Sequence, residues 1–318
     1  MSAIEAPITR MLDRLGPDRC ERMDTAQARA WCERLARGHY ENFPVLTALL
    51  PKAARQDFAA IYAFCRWADD LGDEAGDAAR ALELLGWWRR ELQACFAGEP
   101  RHPVFTALQP TIRDHDLPMD PFDRLIQAFE WDNRKTRWAT MDELLQSCAL
   151  SADPVGRLVL MTLDESRDQA TLAQSDAICT GLQLVNHWQD VRRDLLERDR
   201  VYIPASCTAH IAEFEGRLRR TAEQGWAPDH DFLPAYRRVL HDLCVDAAER
   251  FERGQPLLQR LRPSSRPVIE LFLRGGRGIL GQIRGGDFET CIRRPRLGHA
   301  EKLLLVAGAW WRARMARS

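Results

Sequence analysis

An all-α bundle is the fold class that the sequence predicts, on two observations. Apolar residues recur at steps of three and four along most of the chain, and no stretch longer than a few residues alternates apolar and polar as a half-buried strand does. A third observation points to one domain over residues 1–318. The 45% hydrophobic residues are spread along the length, and no Pro/Gly/Ser-rich linker, low-complexity tract or internal repeat divides them. A formal charge of -1, from 45 basic and 46 acidic residues, argues against a general polyanion binder. No nucleic-acid partner is therefore expected, and any contact with a phosphate must come from local arrangement.

The elements follow in order. Asp24 or Thr25 caps a first helix whose Ala28, Trp31, Cys32 and Leu35 share a face, and Gly38 ends it. A short loop runs from His39 to Pro44. Pro51 suits a first helical turn, and Phe58, Ile61, Tyr62 and Cys65 then repeat at helical spacing until Gly72 and Gly76 weaken the pattern. Leu82, Leu85, Trp88, Leu92 and Phe96 mark the next helix. Further helices are expected over 122–131, 141–149, 154–164, 172–196 and 233–261, and in the C-terminal region.

The nine cysteines form no CxxC pair and no metal-ligand spacing with histidine, so they read as reduced, mostly buried thiols. Met1 to Arg10 lacks the apolar run of a signal peptide, which makes a cytoplasmic location the expectation. The longest apolar run, Leu303 to Trp311, is about half of the roughly 20 residues that a membrane span needs. It reads as a last core-packing helix, with peripheral docking at the inner membrane as the alternative.

Two stretches carry chemistry. In Tyr62 to Glu74, Asp69 and Asp73 stand four apart on a helix and face the same way, with Tyr62, Arg66 and Asp70 at steps of three or four before them. Alone, this is also the pattern of a solvated acidic helix end. In Gln183 to Asp194, Gln183, Asn186, Asp190 and Asp194 again advance by three or four, as a polar stripe on an otherwise apolar segment. Buried polar stripes need partners. Two acidic stripes facing each other across a bundle give a cavity rimmed by oxygen donors, suited to magnesium ions gripping one diphosphate.

These residues resemble the squalene, dehydrosqualene and phytoene synthases, the prenyltransferases of head-to-head condensation. The resemblance runs from about Ala30 to Leu304 and is most specific at Tyr62 to Asp73 and Gln183 to Tyr202, the latter ending Asp199-Arg200-Val201-Tyr202-Ile203-Pro204. It implies an isoprenoid-synthase helical bundle with a central active-site cavity and Mg2+ as cofactor. It assigns Asp69 and Asp73 to a first aspartate motif, and Asn186, Asp190 and Asp194 to a second, all around magnesium. It sets His39, Asn42, Phe43, Tyr62, Arg66, Gln183, Gln189, Arg200 and Tyr202 against the substrate. The alternative for Arg200 is a surface pair with Asp199.

Several details resemble the bacterial hydroxysqualene synthases of hopanoid biosynthesis. The loop reads Asn42-Phe43-Pro44-Val45 where carotenoid enzymes carry serines, and Asn42 can donate from its amide instead. Ser151 to Arg157 and Asn186-His187-Trp188-Gln189-Asp190 also fit that subgroup. Gln189 stands where many relatives have arginine, which suits a site holding one diphosphate rather than two. Arg192 and Arg193 stand where an acidic residue often precedes the last aspartate, which leaves direct ligation by Asp194 open. The resemblance implies conversion of presqualene diphosphate and water to hydroxysqualene and diphosphate, with no NADPH. The rivals are condensation of two prenyl diphosphates to presqualene diphosphate, squalene or phytoene, and a silent assembly scaffold of the same fold. Fainter signals are His187 as a general base or a core histidine, Trp67, Trp138 and Trp188 as pocket walls, and Lys135, Arg137, Arg293 and Arg294 as diphosphate captors. The glycines of 275–278 and 285–286 follow no strand and read as helix ends or helix packing.

Overall fold

The computed structural model describes residues 8–39, 50, 54–225 and 231–298. Expectations for Asn42, Phe43, Pro51 and the run from Leu303 to Trp311 lie outside these, as does anything about the His39 side chain. Helices make the fold, and the described residues contain two isolated bridges but no strand. The longer helices are α1 Thr25–His39, α2 Ala54–Asp73, α3 Ala78–Phe96, α4 Pro103–Asp114, α5 Asp120–Asp132, α6 Met141–Ser151, α7 Asp153–Thr162, α8 Gln169–Gln189, α9 Val191–Arg198, α10 Phe214–Gln224, α11 Phe232–Gly254 and α12 Arg266–Gly285.

Local chemistry sets several starts. Asp24 accepts from the Gln27 amide at 2.8 Å while the Gln27 side chain accepts from the Asp24 amide at 3.2 Å, a reciprocal cap for α1. Asp77, Thr140 and Asp168 cap α3, α6 and α8 by accepting from the amides of Arg80, Glu143 and Thr171. Helix α4 was not expected, because Pro110 interrupts its pattern; Pro103 in its first turn and the ring of His102, which accepts from the Val104 amide at 3.2 Å, start it regardless. Helix α10 was likewise not expected, since it buries only Phe214, Leu218, Thr221 and Ala222 of a polar sequence.

Two expected helices are each divided. The segment 172–196 breaks at Asp190, whose φ of -101° and ψ of 11° end α8 and begin α9. The backbone bonds survive the bend, with Asp190 N–H on Asn186 O at 3.0 Å and Asp194 N–H on Asp190 O at 2.9 Å. The segment 233–261 ends at Gly254, followed by a single turn at Leu257–Arg260.

Two large apolar cores result, with a smaller cluster of Leu50, Ala54, Phe58, Leu163 and Val268. The first gathers α1 to α5 around the fully buried Phe64, Trp67, Trp88, Phe105 and Phe122; the second gathers α8, α11 and α12 around Trp188, Tyr236 and Phe251. Helix α7 serves both, giving Leu158 and Met161 to one and Leu160 to the other. Asp69 and Asp73 leave the first core and Asn186 to Asp194 leave the second, so the candidate site lies along the seam. All nine cysteines are free, five of them buried. No described helix is long and apolar enough to cross a membrane.

Glycine brings α8, α11 and α12 close. A methyl on Gly254 would stand 2.4 Å from Ile178 Cγ1 and 2.8 Å from the backbone oxygen of Gln174, and one on Gly276 would stand 2.6 Å from both Leu182 and Phe251. The 275–278 glycines are thus helical, and Gly276 is a packing glycine. Alanine at position 254 gains at most about 1 kcal/mol of helix propensity. Overpacking against a backbone oxygen that cannot turn aside costs about 1–3 kcal/mol. Gly254→Ala is therefore expected to lower stability by about 1–2 kcal/mol, read as a lower midpoint in urea with an unchanged slope.

Candidate active site

A cavity of about 360 Å3 opens at the seam, with Asp69 and Asp73 of α2 on one wall and Gln183, Asn186, Asp190 and Asp194 on the other. Helix α5 closes a third side with Ala128, Phe129 and Asp132. The close approach of α5 to α2 depends on Gly72, where a methyl would meet Phe129 Cβ at 3.1 Å, and on the Asn133 amide donating to Gly72 O at 3.0 Å. Beyond α9, Asp199 takes a left-handed turn at φ 50°, and Arg200 N–H bonds back to Asp194 O at 3.0 Å. That reversal sends Arg200 and Tyr202 back over the cavity.

Arginine already holds the acidic walls. Asp73 pairs with Arg198 at 2.9 Å and Arg200 at 3.0 Å, and Asp190 with Arg193 at 2.9 Å and, in bidentate fashion, with Arg294. Asp194 pairs with Arg193 at 3.1 Å. Arg200 also donates to the backbone oxygen of Asp132 at 3.2 Å, whereas Asp199 pairs with Arg137 and Arg219. Arg200 is therefore a cavity residue, and its surface alternative falls away. Five carboxylates face four guanidinium groups around the chamber. A multiply charged anion consequently enters only with added cations.

The titratable groups respond to this confinement. Desolvation in the cleft, then the like charge of Asp73, raise the Asp69 carboxyl above its ordinary range. Burial also raises Asp194, against the pull of Arg193. Burial lifts Asp132 to about 7 although Arg200 opposes it. His187 is pushed down to about 3 by burial and by Arg200, so its imidazole is neutral. It lies flat on Tyr202, with ring centroids 3.7 Å apart and planes at 18°, and Tyr202 lies on Trp138 at 4.4 Å and 25°. Burial and then Asp132 keep the Tyr202 phenol protonated, and it donates to Asp132 Oδ2 at 3.5 Å.

Other expected residues stand elsewhere. Arg66 reaches forward along α2 to Asp70 at 2.5 Å and to Asp69 at 3.7 Å, supporting the wall from behind, and neither it nor Tyr62 lines the cavity. Gln189 turns away and donates to Pro295 O at 2.7 Å. The three tryptophans are not walls. Trp67 stacks on Trp88 in the first core at 5.3 Å, Trp188 lies in the second, and Trp138 stands behind Tyr202. All three are fully buried, so proximity in sequence misplaced them. Lys135 pairs with Glu143 and Arg137 with Glu215 and Asp199, outside the chamber, while Arg294 lines it. Sequence reasoning passed over Asp132, because a single carboxylate closing an amphipathic helix is indistinguishable from an ordinary helix-end residue.

The donor set suits magnesium. Only hard oxygen donors line the chamber beside His187, and among the described residues no three acidic, histidine or cysteine side chains form a ready-made metal cluster. A divalent ion held here would take one or two carboxylates and complete its shell with water and phosphate oxygens, which is magnesium's habit rather than that of calcium or zinc.

Comparison with known proteins agrees with this architecture. The squalene/phytoene synthase family matches residues 36–301. A crystal structure of squalene synthase HpnC from Alicyclobacillus acidocaldarius superposes with a TM-score of 0.72 at 39% identity, covering 82% of this chain and 94% of that one. The hydroxysqualene synthase of Rhodopseudomonas palustris is 32% identical, over 70% of this chain and 72% of its own. The phytoene synthase of Thermus thermophilus is 31% identical, over 88% and 92% respectively. With the helical bundle, the opposed acidic stripes and these similarities together, the chain belongs to the squalene/phytoene synthase family of isoprenoid synthases.

Proposed function

We propose that the protein is a hydroxysqualene synthase, converting presqualene diphosphate and water to hydroxysqualene and diphosphate. The observation that carries the proposal is an acidic chamber shared by Asp69 and Asp73 on one side and Asn186, Asp190 and Asp194 on the other. In this reading the two walls bind the diphosphate through magnesium, which offsets charge on the leaving group. Arg193, Arg198, Arg200 and Arg294, paired with the carboxylates, would be the cations nearest the diphosphate oxygens. Gln183 and Tyr202 border the same space. Asn42 and Phe43, outside the described residues, are proposed to contact the substrate. Loss of diphosphate leaves a cyclopropylcarbinyl cation, which rearranges and is captured by water.

Condensation of two prenyl diphosphates is the second reading, favoured by the similarity to phytoene synthases. Against it, Gln189 supplies no cation to the chamber and is tied to Pro295 O. Capture by water also needs no reduced nicotinamide, so NADPH is not expected to be required. Incubation of presqualene diphosphate with Mg2+ in 18O-water tests this. A C30 alcohol carrying the heavy oxygen is the expected product. Squalene formed only with NADPH, or no consumption of presqualene diphosphate, would refute the proposal.

A further inference from the structure

We propose that Gln189 is a positioning residue: by holding the carbonyl of Pro295 it fixes Arg294 at the chamber, where Arg294 binds the diphosphate. This rests on the reading above of the chamber as a diphosphate site, and it brings the segment beyond α12 into that site. Arg294 differs from the other arginines of the lining in how its backbone is carried. Arg193 and Arg198 stand on α9, and Arg200 is tied to the same helix by its N–H bond to Asp194 O at 3.0 Å. Arg294 comes instead from irregular chain. Among the described residues, the last backbone–backbone bonds there are those of Ile292 and Arg293 to Glu289 O, and none involves residues 294–297.

The flanks of this segment are seated. Thr290 and Cys291 are buried, Cys291 in the second core and Thr290 Oγ1 2.8 Å from the Tyr236 hydroxyl. Leu297 rests on α12, so close to Gly278 that a methyl there would stand 3.0 Å from Leu297 Cδ2. Between these flanks two adjacent contacts reach the end of α8. Gln189 donates to Pro295 O at 2.7 Å, and Arg294 grips both oxygens of Asp190.

The two contacts differ in kind. Asp190 is a proposed metal ligand, so its pairing with Arg294 is open to competition by a cation, at an arginine side chain that is 35% exposed. The Gln189 amide is neutral and 8% exposed, so its bond to Pro295 O is sheltered from both cation and solvent. Proline carries that hold one residue back. Its ring fixes its own φ and confines the preceding residue to extended conformations, so a bond to Pro295 O also limits where the Arg294 side chain begins. A guanidinium so placed offers paired donors to phosphate oxygens as readily as to a carboxylate.

Calorimetry with inorganic diphosphate at saturating Mg2+, and with Mg2+ alone, tests this. The proteins are the wild type, Gln189→Met, Gln189→Asn, Arg294→Met and the double variant Gln189→Met/Arg294→Met, each with its urea midpoint. Methionine keeps the length of glutamine and removes the donor, whereas asparagine keeps the amide and draws it back by one methylene. Either variant at position 189 is expected to weaken diphosphate binding about fivefold, the scale of one net hydrogen bond, and Arg294→Met at least about tenfold. The double variant should bind no more weakly than Arg294→Met, because Gln189 acts through that side chain. Mg2+ alone should bind at least as well in every variant, since Asp190 loses a competing cation. Wild-type affinity for diphosphate in a position-189 variant or in Arg294→Met overturns the assignment. So do additive losses in the double variant, or an equal weakening of Mg2+ alone, which is the mark of general damage. If the wild type itself binds no diphosphate with Mg2+, the reading of the chamber has failed and the proposal with it. A wild type that binds, beside variants that match it, places the failure in the role of Gln189 alone.

Discussion

Asp190→Asn is expected to lower turnover of presqualene diphosphate by on the order of 10²–10³-fold or more, the range seen when one preorganised charge is removed from a site that stabilises a leaving group. The side chain keeps its shape and loses only its charge. The backbone bonds on either side of the bend, to Asn186 O and from Asp194 N–H, do not involve the carboxylate. Arg193 and Arg294 lose their partner but are each about a third exposed at the side chain, so water can take it over. Circular dichroism should therefore match the wild type while magnesium dependence moves to higher concentration. The same result is expected for Asp69→Asn. Near-normal turnover in either variant would remove that residue from the proposed ligands.

Arg200→Met should instead strike the fold. Arg200 and Asp73 are each 9% exposed at the side chain and 3.0 Å apart, and Arg200 also caps the end of α5 through Asp132 O. Removing one partner of a buried pair costs about 3–5 kcal/mol, because the other charge stays behind without compensation. Arg198 still reaches Asp73 at 2.9 Å, so the lower part of that range is expected. The loss should also depend on pH. Asp132 is raised to about 7 in the folded protein. The folded state therefore binds the proton more readily than the unfolded chain, and stability falls as pH rises from the ordinary carboxylate range to about 7. Without Arg200 the ionised Asp132 is worse off still, so urea midpoints of variant and wild type should diverge more at pH 8 than at pH 5. A constant difference would mean that Asp132 does not feel Arg200.

The two acidic stripes are hazardous to a bundle unless a cation lies between them, and the protein answers with arginine from three directions. Arg193 and Arg198 come from α9, Arg200 from the turn after it, and Arg294 from the segment beyond α12. These pairs offset the like charge of the acidic walls. They also keep guanidinium groups beside the proposed position of the diphosphate.

The helical class, most helix positions and the four-residue spacing of both carboxylate pairs were legible in the sequence, because each is a local property of 3.6-residue periodicity. Asp24 and Gln27 could be read as a cap from their spacing alone. The rest of the site depends on partners distant in the chain. Arg200 meets Asp73 across 127 positions and Arg294 meets Asp190 across 104. No local pattern distinguishes those arginines from solvated ones. Asp132 likewise became a chamber residue only through the close contact at Gly72, and His187 became a fixed ring only when Tyr202 folded back over it. The bend at Asp190 escaped the periodic pattern because its flanking hydrogen bonds remain helical while the side chain is drawn toward Arg294. Periodicity reports which face of a helix is buried, whereas the site is made of polar groups whose burial is tolerated only because another element brings the opposite charge.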